Sequence, residues 1–363
     1  MRRVDTVIVW LNYNSSRFLA TALESLRGAI ELDYDNHLVL VIDNGSSDGS
    51  REAIKRFIES SPRAREFCKF IGLDHNLGYD AAHNLAWRYV LAKYPEARFL
   101  VLLNNDAIPY PSSLRTLIEI ASSVPRVCGV QGAIELGSTD LLDNLGMFMD
   151  ELLTVYYFMR LKRFEDLPRK CFAVTYVSGA YSVYRIDALK RIALRGGDIF
   201  PTHFFAYHDD DLLGLLAYAN GMRMVSVPTR GAKHFTSLTF RATGLGTYIA
   251  PRAYLARAAI HRTRYRPIAL LHAFKTVLRY VARARGPYRG AALRSLVDGL
   301  LLAKSVERRY GVLIPRDRVK EIPLVPLRLA QALEAVASYG GVGSFVREYL
   351  EKVVAESYGF RCL

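Results

Sequence analysis

The first 106 residues contain four short apolar runs, separated by amphipathic stretches of helical period. The runs cover residues 6–11, 38–42, 70–73 and 99–103. Short apolar runs bounded by turn-forming residues predict buried strands, and strands that alternate with helices predict a parallel sheet covered on both faces. We therefore predict an α/β fold with a doubly wound, mostly parallel sheet and flanking helices.

Two of the predicted strands end in loops rich in acids and amides. Asp43 follows the second strand and begins the sequence Asp-Asn-Gly-Ser, and Asn104, Asn105 and Asp106 follow the fourth strand. Ligands of open α/β sheets bind at the carboxyl ends of the strands. A carboxylate with amide neighbours suits a hard divalent cation and the phosphates that it holds. Turn chemistry alone explains Asp43 at least as well, because Asp-Asn-Gly-Ser is a common turn sequence.

A further polar cluster stands where the helix after residue 75 begins. Asn76, Gly78 and Asn84 lie among small and polar residues there. A helix N-terminus in this position favours a phosphate group. Small residues also let a helix pack closely on a sheet, so this cluster has a structural explanation too.

Three consecutive acids, Asp209, Asp210 and Asp211, precede an apolar helix, and His234 follows the next predicted strand, residues 222–228. Acids complement the positive end of a helix dipole, but three adjacent carboxylates repel one another unless a cation or substrate lies nearby. One of them, partly shielded from water, is a candidate general base for a hydroxyl group. His234 alone is more simply explained as a structural histidine.

Taken in order over about residues 4–240, these motifs resemble glycosyltransferase family 2, the inverting nucleotide-sugar transferases of the GT-A fold. The resemblance implies that Asp43 accepts a hydrogen bond from the donor base and that Asp106 binds Mg²⁺ or Mn²⁺ bridging the diphosphate. His234, in a late region with Ser237, would approach the metal or diphosphate. The residues implied in nucleotide-sugar binding are Asn12, Asn14, Asp43, Asn76, Gly78, Asn84, Asn104, Asn105 and Asp106.

The resemblance also assigns the general base to the acidic cluster. Asp210 fits that role best, with Asp209 and Asp211 as rivals. The family often carries an arginine three or four residues after these acids, whereas residues 213–216 contain none. The implied donor is a sugar linked to UDP, GDP or dTDP, and the implied acceptor is a glycan or lipid-linked hydroxyl.

The net charge of +14 is concentrated in one part of the chain. Residues 250–320 contain 17 lysines and arginines but only three acids, so this segment carries an excess equal to the whole net charge. Apolar residues alternate with these cations, which predicts amphipathic helices that either contact an anionic membrane surface or pack on the catalytic domain. We favour membrane contact and do not expect nucleic acid as a partner.

The composition shift near residue 245 predicts two domains. Residues 1–245 would form the catalytic domain, with a nucleotide-sugar half at 1–106 and an acceptor half at 107–245, and residues 246–363 would form a basic helical domain. No apolar stretch reaches the roughly 18 residues of a membrane-spanning helix, and the strand at the N-terminus leaves no room for a signal peptide. The four cysteines are far apart in sequence, so we expect a reducing compartment and no disulfides.

These observations predict a metal-dependent inverting glycosyltransferase on the cytoplasmic face of the cell membrane. A sugar-phosphate nucleotidyltransferase is an alternative, but residues 12–16 lack the glycine-rich, basic loop that holds a triphosphate. A second alternative is a non-enzymatic basic protein that binds membranes or nucleic acid. It explains the charge but not the ordered acids.

Overall fold

A computed structural model describes residues 3–236, 238, 246–283, 288–337, 343–354 and 358–362. The strands are β1 (Thr6–Asn12), β2 (His37–Asp43), β3 (Cys68–Gly72), β4 (Phe99–Asn104), β5 (Ala107–Pro109), β6 (Val127–Leu136), β7 (Leu142–Asn144), β8 (Met147–Asp150), β9 (Val155–Tyr157), β10 (Cys171–Val174), β11 (Tyr181–Arg185), β12 (Arg223–His234), β13 (Leu324–Val325) and β14 (Gly359–Phe360).

The helices of the first 236 residues are α1 (Leu19–Ile30), α2 (Ser50–Ser60), α3 (Pro62–Phe67), α4 (Tyr79–Lys93), α5 (Ser113–Ser123), α6 (Ile186–Ile192) and α7 (Asp209–Ala219). Those of the C-terminal region are α8 (Gly246–Ile260), α9 (Arg266–Arg283), α10 (Tyr288–Tyr310), α11 (Leu329–Ala337) and α12 (Gly343–Tyr349). Short 3₁₀ turns form at Ser16–Phe18, Phe164–Asp166 and Val319–Glu321, and a π-helical turn forms at Leu350–Val354.

The central sheet has the order β14-β10-β12-β6-β11-β4-β1-β2-β3. Strands β1 to β4 run parallel, as the alternation of strands and helices predicts. Beyond β4 the sheet becomes mixed, because β11 runs antiparallel to both β4 and β6 whereas β6 and β12 run parallel. The predicted α/β class, with flanking helices and a helical C-terminal region, is confirmed.

Apolar side chains line both faces of the sheet, because successive residues of each inner strand point to opposite sides. Helices cover both faces. Val7 and Val9 of β1 belong to one hydrophobic cluster, whereas Ile8 and Trp10 belong to the other. Helices α4 and α7 cover the first face, and α1, α2 and α5 cover the second. Burial on both faces accounts for the nearly unbroken apolar runs in the sequence.

One predicted strand differs from the strand observed, and two further strands, β10 and β11, join the sheet. These two strands do not pair with each other, because each adds to a different part of the sheet. The strand predicted at 222–228 extends to His234 as β12. The extension pairs with β5 and β6, so His234 lies at the end of a strand beside the loop that carries Asp106.

The C-terminal region shares its core with the rest of the chain. Strand β14 extends the central sheet next to β10, and β13 pairs with β8 in a separate three-stranded sheet. Apolar residues of α10, including Leu302 and Val306, belong to the same buried cluster as Leu100 and Phe172. The predicted domain boundary near residue 245 lies outside the described residues. The structure describes no helix that is both long and apolar enough to cross a bilayer.

The expectation that no cysteines pair was wrong. Cys171, in β10, forms a disulfide with Cys362, which lies two residues beyond β14. The two cysteines are 191 residues apart in sequence, and only the addition of β14 beside β10 brings them together. The inference of a reducing compartment, which rested on unpaired cysteines, therefore loses that basis.

Candidate active site

The carboxyl ends of β1, β2 and β4 meet at one edge of the sheet. Asn12 pairs in register with Asp43, and Leu11 pairs with Asn104. Asn105 donates a hydrogen bond to the side-chain oxygen of Asn12 at 3.2 Å. The parallel register therefore joins the predicted nucleotide-binding loops into one hydrogen-bonded edge.

Asp43 is fully buried and its carboxylate is already paired. It accepts hydrogen bonds from the side chain of Asn12 at 2.9 Å, the backbone N–H of Ser46 at 3.0 Å and Nε of Arg51 at 2.6 Å. Asn14 lies beside the same loop, where its side-chain oxygen accepts from Ser47 N–H at 2.9 Å. This network shapes the loop after β2, and Arg51 is a member that the sequence motifs did not indicate.

The helix start after β3 divides into a cavity-facing part and a structural part. Asn76 accepts hydrogen bonds from the side chain of Asn44 and from the backbone of Gly78. Gly78 has φ +85°, and a Cβ there would lie 2.6 Å from the ring of Phe205, so this position needs glycine. Asn84 is buried and bonds only the backbone of residues 199 and 200, so its groups tie α4 to that loop.

Asp106, His234 and Asp143 come together at the ends of β12 and β7 and in the loop before β5. Nε2 of His234 lies 3.2 Å from Oδ1 of Asp106, and Nδ1 lies 4.0 Å from Oδ2 of Asp143. Burial disfavours protonated His234, but hydrogen bonding and charge from the two carboxylates outweigh it and raise the pKa of the imidazole to about 9. Arg160 holds the far side of Asp143 at 2.5 Å.

The donor set of this cluster fits a hard divalent cation. Both ring nitrogens of His234 are buried and face carboxylate oxygens of Asp106 and Asp143. Carboxylate oxygens suit both Mg²⁺ and Mn²⁺, and an imidazole ligand favours the transition metal of the two. Across the described residues, no three His, Cys, Asp or Glu side chains form a group that could hold a metal by themselves. Phosphate and water oxygens would have to complete the coordination, as is usual for Mg²⁺.

The three acids at the start of α7 have different environments. Asp211 is buried and ion-paired with Arg257 and, at 2.6 Å, with His208. Burial opposes its ionisation, but Arg257 and His208 lower the pKa of Asp211 well below its usual range. Asp211 is therefore a fixed anion whose oxygen is committed to other side chains.

The pKa values of Asp209 and Asp210 are raised, in contrast to that of Asp211. Burial, together with the charge of Asp211, raises the pKa of Asp210 to about 7, although its oxygens accept hydrogen bonds from the N–H groups of Gly179 and Asp211. Burial and the charges of Asp210 and Asp80 raise the pKa of Asp209 well above its usual range. A carboxylate with a pKa near neutrality is suited to accept a proton from a hydroxyl group.

These residues surround one cavity of about 500 Å³. Of the predicted site residues, its lining includes Asn76, Gly78, Asn104, Asn105, Asp106, Asp209, Asp210, Asp211 and His234. Four predicted residues are not part of the lining: Asn12, Asp43 and Asn84 are buried, and Asn14 is half-buried. The cavity therefore brings the metal-type cluster and the candidate bases to a common space, although Asp106 and Asp210 are about 100 residues apart in sequence.

Several residues of the site gave no usable sequence signal. Asp143, in β7, and Arg160, which follows β9, carry no sequence motif, and Asp143 reaches the cavity through the pairing of β7 with β6. Arg257 comes from α8, within the basic segment for which we favoured membrane contact over packing on the catalytic domain. Asp80 is buried, and both carboxylate oxygens lack a hydrogen-bond partner within the described residues. Its position two residues after Gly78 was the only hint.

Comparison with known proteins agrees with this geometry. The model of glycosyl transferase family 2 matches residues 7–193, which is just over half of the chain. No curated protein matches the sequence. The matched region contains β1 to β4 and the loops that carry Asp43 and Asp106.

Two solved structures have a similar fold at low sequence identity. GalNAc-T7, solved with UDP, GalNAc and Mn²⁺, aligns with a TM-score of 0.57 and 11% identity over 85% of this chain, which spans 59% of that protein's chain. Residues 1–349 of TarS from S. aureus, solved with UDP-GlcNAc, align with a TM-score of 0.53 and 13% identity over 96% of this chain and 92% of that one. These TM-scores support a shared fold. With the family match over residues 7–193, the chain belongs to glycosyl transferase family 2.

Proposed function

We propose that this protein is a metal-dependent inverting glycosyltransferase that moves a sugar from a nucleoside-diphosphate sugar to a hydroxyl acceptor. The observation that carries the proposal is the common cavity, which is lined both by Asp106 with His234 and by Asp210. GalNAc-T7 and TarS were solved with UDP or a UDP-sugar, which makes UDP-linked sugars the first donors to test. GDP- and dTDP-linked sugars remain candidates.

In this proposal the two sides of the cavity have separate tasks. Asp106 and His234 would hold Mn²⁺ or Mg²⁺, which would neutralise charge on the departing nucleoside diphosphate. Asp210 would take the proton from the acceptor hydroxyl as the oxygen attacks the sugar carbon opposite the leaving group. Asp209 remains the rival base, because its pKa is also raised. Asp211 is the weakest candidate, because its anion is committed to Arg257 and His208.

Asp43 would contribute by shaping its loop. After a rearrangement that frees it from Arg51, it would instead accept a hydrogen bond from the donor base. Asn104 and Asn105 would face the nucleotide from the end of β4. We also propose that the catalytic domain ends near residue 245. The family assignment favours glycosyl transfer over the nucleotidyltransferase and over the non-enzymatic basic protein.

The first experiment is a thermal-shift panel of UDP, GDP and dTDP, each with and without Mn²⁺. A ligand that binds only the folded state at about 100 times its Kd adds roughly 2.7 kcal/mol of stability. We expect one nucleotide to raise the Tm only when the metal is present. Release of that nucleoside diphosphate from its sugar donor then tests turnover. If neither a shift nor release occurs with any nucleotide, the proposal is wrong.

We propose further that the C-terminal helices bind an anionic membrane surface and present a lipid-linked or other envelope acceptor. Helices α9 to α11 expose large apolar side chains, among them Leu271, Phe274, Leu278, Leu293, Val297, Leu300, Leu301, Leu329 and Leu333. Exposed cations accompany them on α10, including Arg294, Lys304 and Arg308. A face that combines apolar and basic side chains is typical of interfacial binding. Peripheral attachment to the cytoplasmic face remains part of this proposal.

Vesicle flotation tests the membrane proposal separately from catalysis. The protein should float with vesicles that contain phosphatidylglycerol and should stay in solution with phosphatidylcholine alone. Val297→Asp should weaken flotation, whereas Leu161→Asp changes an exposed apolar residue outside the C-terminal helices and serves as the control. Flotation that is independent of anionic lipid, or unaffected by Val297→Asp, contradicts the proposal.

A further inference from the structure

The segment that delivers the acidic cluster has an unfavourable backbone. Phe205, Tyr207 and His208 have φ of 74°, 68° and 65°, in the left-handed region that non-glycine residues rarely adopt. The segment leads directly into Asp209 at the start of α7. Residues in such conformations persist only where surrounding contacts hold them. Those contacts therefore determine where the acids lie.

One group of contacts comes from α8, in the C-terminal region. Nη2 of Arg252 donates hydrogen bonds to the backbone carbonyls of Phe204 at 2.5 Å and His203 at 3.4 Å. These carbonyls lie immediately before the left-handed residues. On the other side of the segment, the N–H of Tyr79 donates to the carbonyl of Phe205 at 2.6 Å.

A second arginine of α8 holds the far end of the same segment. Arg257 is 1% exposed, and its Nη1 binds Oδ2 of Asp211 while its Nη2 donates to the carbonyl of Leu153 at 2.6 Å. Its guanidinium also stacks near the ring of Tyr254, 4.9 Å from the centroid. A buried guanidinium with this many partners has one defined position, so it also defines the position of Asp211.

Helix α8 is itself packed tightly against α10. A Cβ on Gly299 of α10 would lie 2.9 Å from the carbonyl oxygen of Arg252 and 3.1 Å from Cβ of Leu255. The two helices therefore approach each other closely at the level of Arg252. Packing against α10 therefore fixes the position of α8 and of the backbone that carries Arg252 and Arg257.

We propose that Arg252 and Arg257 are positioning residues that together clamp the segment from His203 to Asp211 and thereby orient the general base. The link to Asp210 is direct, because the N–H of Asp211 donates to Oδ1 of Asp210 at 2.8 Å. The catalytic part of this inference rests on the proposed function. The C-terminal region then has a role inside the active site, besides any role at a surface.

The clamp is tested in the full-length protein by hydrogen exchange followed by mass spectrometry. The variants are Arg252→Met, Arg257→Met and Arg257→Lys, and the control is Arg294→Met, which changes an exposed arginine of α10. We expect faster exchange in the peptide covering residues 203–211 for both clamp variants, with unchanged exchange in β4. Lysine at 257 should restore part of the protection, because it keeps the charge but not the two-pronged geometry.

Arg257→Met leaves the buried carboxylate of Asp211 with only His208 as an ionic partner and can prevent folding. The double variant Arg257→Met/Asp211→Asn removes both charges of the ion pair, so the clamp can still be tested in a folded protein. Arg252→Met alone provides a second test. If exchange at 203–211 is unchanged in these variants, or rises equally throughout the protein, the clamp proposal is wrong.

A kinetic measurement separates the clamp from the proposed function. With a donor that the wild type turns over, we expect kcat to fall about 100-fold in Arg252→Met with the donor KM nearly unchanged, because small misplacements of reacting groups have effects of this size. An unchanged kcat would overturn the catalytic role. If wild type turns over no donor but the exchange difference is present, the proposed function fails and the structural clamp stands.

Discussion

Replacing Asp210 with asparagine should make the protein more stable at alkaline pH while removing its activity. The folded protein raises the pKa of Asp210 to about 7 from an ordinary 3.8. An acid with a raised pKa stabilises the folded state below its ordinary pKa, and this contribution is lost as the pH rises through the folded value. The contribution of Asp210 should therefore be lost between about pH 4 and pH 7 in the wild type, and Asp210→Asn should lack this loss.

The magnitude follows from the size of the shift. A rise of about three pKa units corresponds to roughly 4 kcal/mol, at ~1.4 kcal/mol per unit. Above neutral pH, ionised Asp210 destabilises the folded state by this amount. Asparagine presents an amide nitrogen to one of the two N–H donors, Gly179 or Asp211, and that mismatch costs about 1–1.5 kcal/mol. The variant should gain about 2–3 kcal/mol near pH 9 and lose about 1 kcal/mol near pH 4.

The assay is urea unfolding of both proteins across this pH range, with Asp140→Asn as a control at an exposed aspartate. Asp209 and Asp210 interact, so the difference in the free energy of unfolding between variant and wild type depends on both acids. The pH at the midpoint of that difference is therefore a property of the pair. A difference that does not change with pH would refute the reasoning about burial. If Asp210→Asn keeps normal turnover in the transfer assay, Asp209 becomes the base.

Three further changes test other parts of the site and fold. Asp106→Ala should abolish the Mn²⁺-dependent rise in Tm caused by the bound nucleotide, and a retained rise would place the metal elsewhere. Gly78→Ala should lower the free energy of unfolding by about 1–3 kcal/mol, because φ is +85° and the new Cβ would meet Phe205, whereas Gly290→Ala in open space on α10 should be neutral or stabilising. Cys362→Ser should lower stability by about 2–4 kcal/mol through loss of the disulfide, and dithiothreitol should lower the wild-type Tm similarly without further affecting the variant.

The first half of the fold could be predicted because its information is local. The inner parallel strands β1, β2 and β4 are buried on both faces, so they appear in the sequence as apolar runs that end in polar loops. The rule that ligands bind at the carboxyl ends of parallel strands then places Asp106 and its neighbours at the site. The helix that begins with three acids was predictable in the same way from its composition.

The remaining parts of the site depend on contacts between distant segments. Asp143 reaches His234 only through the pairing of β6, β7 and β12, and Cys171 reaches Cys362 only because β14 joins β10. Arg257 had the same sequence signature as the surface arginines around it, yet it is buried against Asp211. Composition cannot distinguish a cation in water from a cation in a buried ion pair, because the difference lies in what packs around it.

By itself, therefore, the sequence determined the alternating α/β architecture, the strand-end carboxylates and the family pattern, since these follow from periodicity and residue order along the chain. Only the tertiary structure distinguished Asp211, whose pKa is lowered, from Asp209 and Asp210, whose pKa values are raised. That difference depends on burial and on the nearest opposite charge. For Asp211 this charge is an arginine 46 residues away, whereas Asp210 meets backbone N–H groups and the anion beside it.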